Sequence, residues 1–156
     1  MQAFDHLNSV IQQLGQRNQI ANITLAADGS FGLQLVSGTE VSGELQDDVL
    51  YLYGIVAPLP LQSAQRQKIF EILLEANCLG IGTAGGVLSI HQGNQSIIYH
   101  LALIPESLDV STLELALHSV AEHCESYLAV INQRLSQAPS PASDIRFVPP
   151  AMLIPV

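Results

Sequence analysis

The chain of 156 residues carries 14 acidic against five basic side chains, a formal net charge of -9, and is 48% hydrophobic but only 12% charged, with no tryptophan. That length suits one domain with a substantial core, and the isolated cations Arg17, Arg66, Lys68, Arg134 and Arg146 cannot neutralise a run of phosphates, which excludes nucleic acid and anionic membranes as partners. So much apolar material with so few charges implies a large surface for self-association or for a ligand.

From Phe4, apolar residues recur at Leu7, Ile11 and Leu14 before Gly15, the period of a short amphipathic helix. Ile20 to Ala27 and Phe31 to Val36 read as two strands joined by the turn Asp28-Gly29. Ser37-Gly38 then leads into a strand at Glu40 to Leu45. The run VLYLYGIV (49-56) is β-branched and aromatic enough to be a strand, and Pro58 and Pro60 stop it. Ser63 is placed to cap a helix over 63-79, with Ile69, Phe70, Leu73, Leu74 and Leu79 as its apolar stripe. Val87 to His91 and Ser96 to Ile104 form a hairpin closed by Pro105. Ser111 starts the longest periodic segment, with Leu113, Leu117, Val120, Cys124, Leu128, Ile131 and Leu135 as a seam that must lie on a sheet. The order α-βββ(β)-α-ββ-α predicts an α+β domain over 1-137, an antiparallel sheet with helices on one face. The tail 138-156, APSPASDIRFVPPAMLIPV, has five prolines and excludes regular structure. It is nevertheless apolar enough to dock in a groove.

The N-terminus MQAFDHLNSV has no basic region followed by an apolar stretch, and no apolar run approaches the ~20 residues that cross a bilayer, so a cytoplasmic chain without membrane insertion is expected. Cys78 and Cys124 lie in segments read as helical, without disulfide or zinc-ribbon spacing, and are expected as reduced, buried thiols.

Residues 80-86, GIGTAGG, satisfy the dinucleotide pattern G-x-G-x-x-G. That pattern needs a strand before it and a helix after it, so that phosphate meets helix N-terminal amides. Here a helix precedes and a strand follows, and a helix C-terminus repels phosphate. Gly80 reads instead as the residue just past a helix end with positive φ, and Gly85-Gly86 as a turn. In HSVAEHC, His118 and Glu122 share a helix face, but His123 points roughly 140° from His118 and Cys124 belongs to the seam. No metal site, cofactor or catalytic group is therefore assigned. His6, His91 and His100 are isolated, and no nucleophile motif is present.

Taken together, VLYLYGIVAPLP (49-60), IFEILLEANCLGIGTAGGVLSI (69-90), IIYHLALIP (97-105) and the long helix after them resemble the Tir-chaperone family, the class I chaperones of bacterial type III secretion. The most specific part is Ile72, Leu73, Ala76, Asn77 and Gly80 followed by Gly85 and Gly86. The resemblance covers roughly 1-136 and leaves the tail outside it. It implies a homodimer without enzymatic activity, in the cytoplasm of a Gram-negative bacterium. Such a dimer binds the N-terminal region of one or more secreted effectors in extended form and brings it to the secretion apparatus and its ATPase. It also implies that Ile69, Phe70, Leu73, Leu74, Val87 and Leu88 supply the dimer interface. Leu7, Val10, Ile11, Leu14, Ile23, Leu25, Phe31, Leu33 and Leu35 form the pool for effector grooves, about half of them core because a strand sends alternate side chains to opposite faces. Two other readings stand beside it: a regulatory or structural dimer whose tail fills its own groove, and a small enzyme using His118 and His123.

Overall fold

A computed structural model of the chain describes residues 2–137. Helix α1 (Gln2–Arg17) buries Leu7, Val10, Ile11 and Leu14 on one stripe, with Asp5 in its first turn and Arg17 in its last, as the helix dipole favours. The strand expected over 20-27 does not form. Gln19 and Asn22 take left-handed backbone conformations, and the Leu25 amide donates to Asn8 Oδ1 of α1 at 3.0 Å. Gly29 N donates to Ala26 O and Ala26 N to Ser30 O, closing a local turn. These backbone groups are satisfied by the helix and by themselves, so the segment lies against α1 instead of pairing with a strand.

The strands β1 (Ser30–Gln34), β2 (Glu40–Gln46), β3 (Val49–Pro58), β4 (Val87–His91) and β5 (Ser96–Leu103) form one sheet in the order β1-β2-β3-β5-β4. Every neighbouring pair is antiparallel, with a bulge between Ile55 and Ala57. Period-2 alternation divides the faces. Leu50, Leu52, Val56 and Tyr99 are buried under α3 (Val110–Ser136), while Tyr51, Tyr53, Ile98 and His100 stand half-buried on the opposite face. Helix α1 packs on α3 and on the turn Pro105–Ser107, and α2 (Ser63–Ala76) packs on α3 and β4. All three helices thus cover one face of an antiparallel sheet, the α+β arrangement expected. Burying each large aliphatic side chain of this layer contributes roughly 1.5–3 kcal/mol.

Three local expectations are corrected. Ser63 is the first helical residue of α2, and the cap position is Gln62, which makes no side-chain cap bond. Helix α3 starts one residue before Ser111, because Asp109 Oδ1 accepts from the Thr112 amide at 2.7 Å and from its hydroxyl at 2.8 Å. Those bonds hold the Asp109 carboxyl below its usual pKa. Helix α2 stops at Ala76, and the chain turns through a 3-10 segment at Cys78–Gly80 in which Leu79 already has φ 56° and Gly80 follows at 67°. That early stop leaves Cys78 exposed, whereas Cys124 is buried as expected. The tail 138-156 lies outside the described residues.

Candidate functional site

A groove of about 320 Å³ opens between the C-terminal end of α1, strand β1 and α3. Leu14 and Leu117 are its buried walls, Leu33 and Leu35 are half-buried along it, and Ile20 and Val36 are exposed at its rim. One lip is polar. Glu114 on α3 is held by Arg17 at 3.4 Å and by the Asn18 amide at 3.2 Å, with exposed His118 one turn further on.

Among the described residues, the groove runs beside a free sheet edge. Leu35 N bonds to Thr39 O and Leu45 N to Gly29 O, so the antiparallel register puts Phe31 and Leu33 in the bonded pairs with Gly43 and Val41. The backbone groups of Gly32 and Gln34 therefore point outward, and nothing stands within 4 Å of where a Gly32 side chain would begin. The other edge is closed at Leu88. Asn77 Nδ2 donates to Leu88 O at 2.8 Å, and Leu88 N donates to Asn77 Oδ1 at 2.9 Å. A sixth strand along β4 would have to displace that amide.

Of the groove pool, Leu14, Leu33 and Leu35 converge here, and Ile23 borders a separate, more polar hollow with Gln12 and Ile20. Leu7, Val10, Ile11, Leu25 and Phe31 belong to the buried core. The sequence reading missed Ile20, Val36 and Leu117. Ile20 and Val36 sat at the ends of expected strands, where alternation is silent, and Leu117 looked like any other position of the α3 seam.

The six dimer candidates also divide. Ile69, Leu73 and Leu88 are buried within the chain, because α2 uses that side to pack on α3 and β4. Phe70, Leu74 and Val87 are exposed. Residues 70 and 74 lie one turn apart, so α2 has a second apolar strip beside the buried one. Leu79 and Ile81, both over 80% exposed, prolong it beyond the helix end. The loop carrying them is fixed from below, where the Tyr99 hydroxyl donates to Thr83 O at 2.8 Å and the Tyr127 hydroxyl to Gly82 O at 2.6 Å. Gly86 lies so close to the Tyr99 ring that a β-carbon there would overlap it.

The histidines do not assemble. His118 is exposed at the groove, whereas His123 stacks on Tyr99 with ring centroids 4.7 Å apart and lies with Nδ1 2.7 Å from Ser119 O. Among the described residues no group of His, Cys, Asp or Glu is arranged to hold a metal ion. Burial pushes His100 below its ordinary pKa and pushes the Cys124 thiol up to about 11, so Cys124 is a poor nucleophile at neutral pH. No described helix is long and apolar enough to cross a membrane.

No curated protein matches the sequence. Solved structures do. A chain of the ExsC-ExsE complex superposes with TM-score 0.71 at 15% identity, over 82% of this chain and 95% of that one. A chain of the HopA1-SchA chaperone-effector complex gives 0.67 at 12%, over 83% and 98%. A chain of the ExoU-SpcU complex from the type III secretion system of Pseudomonas aeruginosa gives 0.58 at 18%, over 78% and 96%. At such identities these likenesses establish the fold, five antiparallel strands under three helices. A family model described as Tir chaperone protein (CesT) matches residues 9–127. The chain belongs to the Tir chaperone protein (CesT) family.

Proposed function

We propose that this protein is a type III secretion chaperone whose domain, residues 1-137, binds the N-terminal region of one or more effectors as an extended, soluble segment. The observation that carries the reading is the apolar groove of Leu14, Leu33, Leu35 and Leu117 lying beside the unpaired edge of β1. An extended segment added to β1 gains main-chain hydrogen bonds from Gly32 and Gln34. Alternate side chains of that segment drop into the groove. Relatives of this fold are solved as chaperone-effector complexes, HopA1-SchA among them. The net charge of -9 keeps a loaded complex soluble.

In this reading the chain acts as a homodimer in the cytoplasm of a Gram-negative bacterium, paired through the exposed strip Phe70, Leu74, Leu79, Ile81 and Val87. It hands its cargo to the ATPase of the secretion apparatus and carries out no catalysis of its own. The test is affinity purification of the tagged chain from its own cells, with mass spectrometry and light scattering. A stoichiometric secreted protein held through its first hundred or so residues by a dimer is the expected result. A bare monomer without a partner would overturn both the dimer and the cargo.

A further inference from the structure

A second groove, of about 330 Å³, lies further along the same side of α3, where the β1-β2 turn and the end of β3 meet the helix. Its apolar surface includes the exposed side chains of Ile55 and Leu128 together with Val56, and its rim carries two carboxylates, Glu40 and Glu125. Glu125 is anchored by the Thr39 hydroxyl at 2.8 Å and has no basic partner within the described residues. The groove is thus apolar in its floor and negative at its lip. It fits an apolar segment that carries one cation.

We propose that the occupant is the chain's own tail, with Ile145, Phe147 and Val148 against Ile55, Val56 and Leu128, and Arg146 between Glu40 and Glu125. Reach, composition and charge each support it. Helix α3 ends beside α2, where Lys68 Nζ donates to the Gln137 carbonyl at 3.2 Å, so the tail starts from a fixed point. Leu128 and Glu125 lie nine and twelve residues back along α3, or about 14–18 Å at the helical rise. The eight residues 138-145 can span up to about 26 Å, and the sequence there, with prolines at 139 and 141, disfavours continuation of α3. The groove at Leu117 lies about 30 Å from Gln137 on the same scale, also within the span of the tail, but its carboxylate, Glu114, is already paired with Arg17 at 3.4 Å. The tail has a single cation, Arg146, placed between the apolar residues 145 and 147. That is the complement of this rim. A tethered segment held at high effective concentration would make the groove unavailable to any weaker extended ligand.

The test places a spin label at Ala151→Cys in the full chain, with Cys78→Ser removing the exposed thiol, and reads amide signals by NMR. Amides of Thr39, Glu40, Glu125 and Leu128 should lose most of their intensity, and recover it when Phe147→Asp or Arg146→Glu is added. Signal loss at Leu33 to Val36 instead, or along Phe70 to Leu74, would overturn the assignment, as would no localised loss at all. Mixing labelled, isotope-free chains with unlabelled, isotope-enriched ones checks the source. Loss transferred between chains would mean that the tail of a second copy is the occupant, and would overturn docking within one chain. None of these outcomes depends on an effector, so the chaperone reading stands or falls separately.

Discussion

Tyr99 reaches from the middle of β5 to the carbonyl of Thr83, 2.8 Å away and sixteen residues earlier, with both side chains fully buried. The glycine-rich turn is wrapped over this phenol, and burial drives its pKa to about 12. A methyl added at Gly86 would collide with the ring. Gly86→Ala is expected to lower unfolding stability by about 2–3 kcal/mol, and Tyr99→Phe, which removes one of two donors to the Thr83 carbonyl and leaves the Gly86 amide on it, by about 1 kcal/mol. Urea melts followed by circular dichroism read both.

Leu73 and Leu74 are neighbours in sequence with opposite surroundings, one buried against α3 and β4, the other three-quarters exposed. Leu73→Asp puts a charge into the core and should unfold the chain. Leu74→Asp should leave the circular dichroism unchanged and shift the mass seen by light scattering from dimer to monomer. A folded dimer carrying Leu74→Asp would remove the α2 strip from the interface.

The free edge of β1 makes a backbone prediction. Gly32 points its amide outward, so Gly32→Pro deletes a donor the fold does not use, while an added strand would need it. Fold and dimer should survive. Affinity for the effector segment, measured by calorimetry, should fall about tenfold, equivalent to about 1.4 kcal/mol. Leu35→Asp, which charges the adjacent groove, should weaken binding at least as much.

The two thiols differ in accessibility and in acidity. Cys78 should react with a maleimide at neutral pH, and Cys124 only after unfolding. Burial raises the folded pKa of Cys124 from 9.0 to about 11 and that of Tyr99 from 10.0 to about 12. In both cases the folded state holds its proton more tightly than the unfolded chain. Their contribution is therefore complete below pH 9 and is lost as pH rises through 11 to 12. Urea midpoints should fall steeply above pH 9, less so in Cys124→Ala. A flat profile to pH 11 would contradict this.

Periodicity was sufficient for the three helices and for five strands, because burial on one face dictates spacing at 3.6 or 2 residues. It failed at 20-27, where Ile23 and Leu25 alternate as in a strand but Asn8, seventeen residues before Leu25, supplies the bond that holds the segment to α1. It also failed for α2, where adjacent apolar residues face either the core or solvent. A stripe that broad says how much is apolar and leaves open which part is covered from within. Asn77 belonged to the motif that marked the family. Its two bonds to Leu88 became visible only once β4 was in place.

Those two bonds give the sheet a direction of growth. An antiparallel sheet with two open ends can be linked end to end without limit, which is the route to fibres. In this chain one end is closed by a side-chain amide and the other presents the backbone of Gly32. In the proposed binding mode a guest strand adds at β1, and pairing through β4 would first have to displace the Asn77 amide from Leu88. For a chaperone that takes up extended effector segments, such an asymmetry disfavours linkage of one loaded sheet to the next.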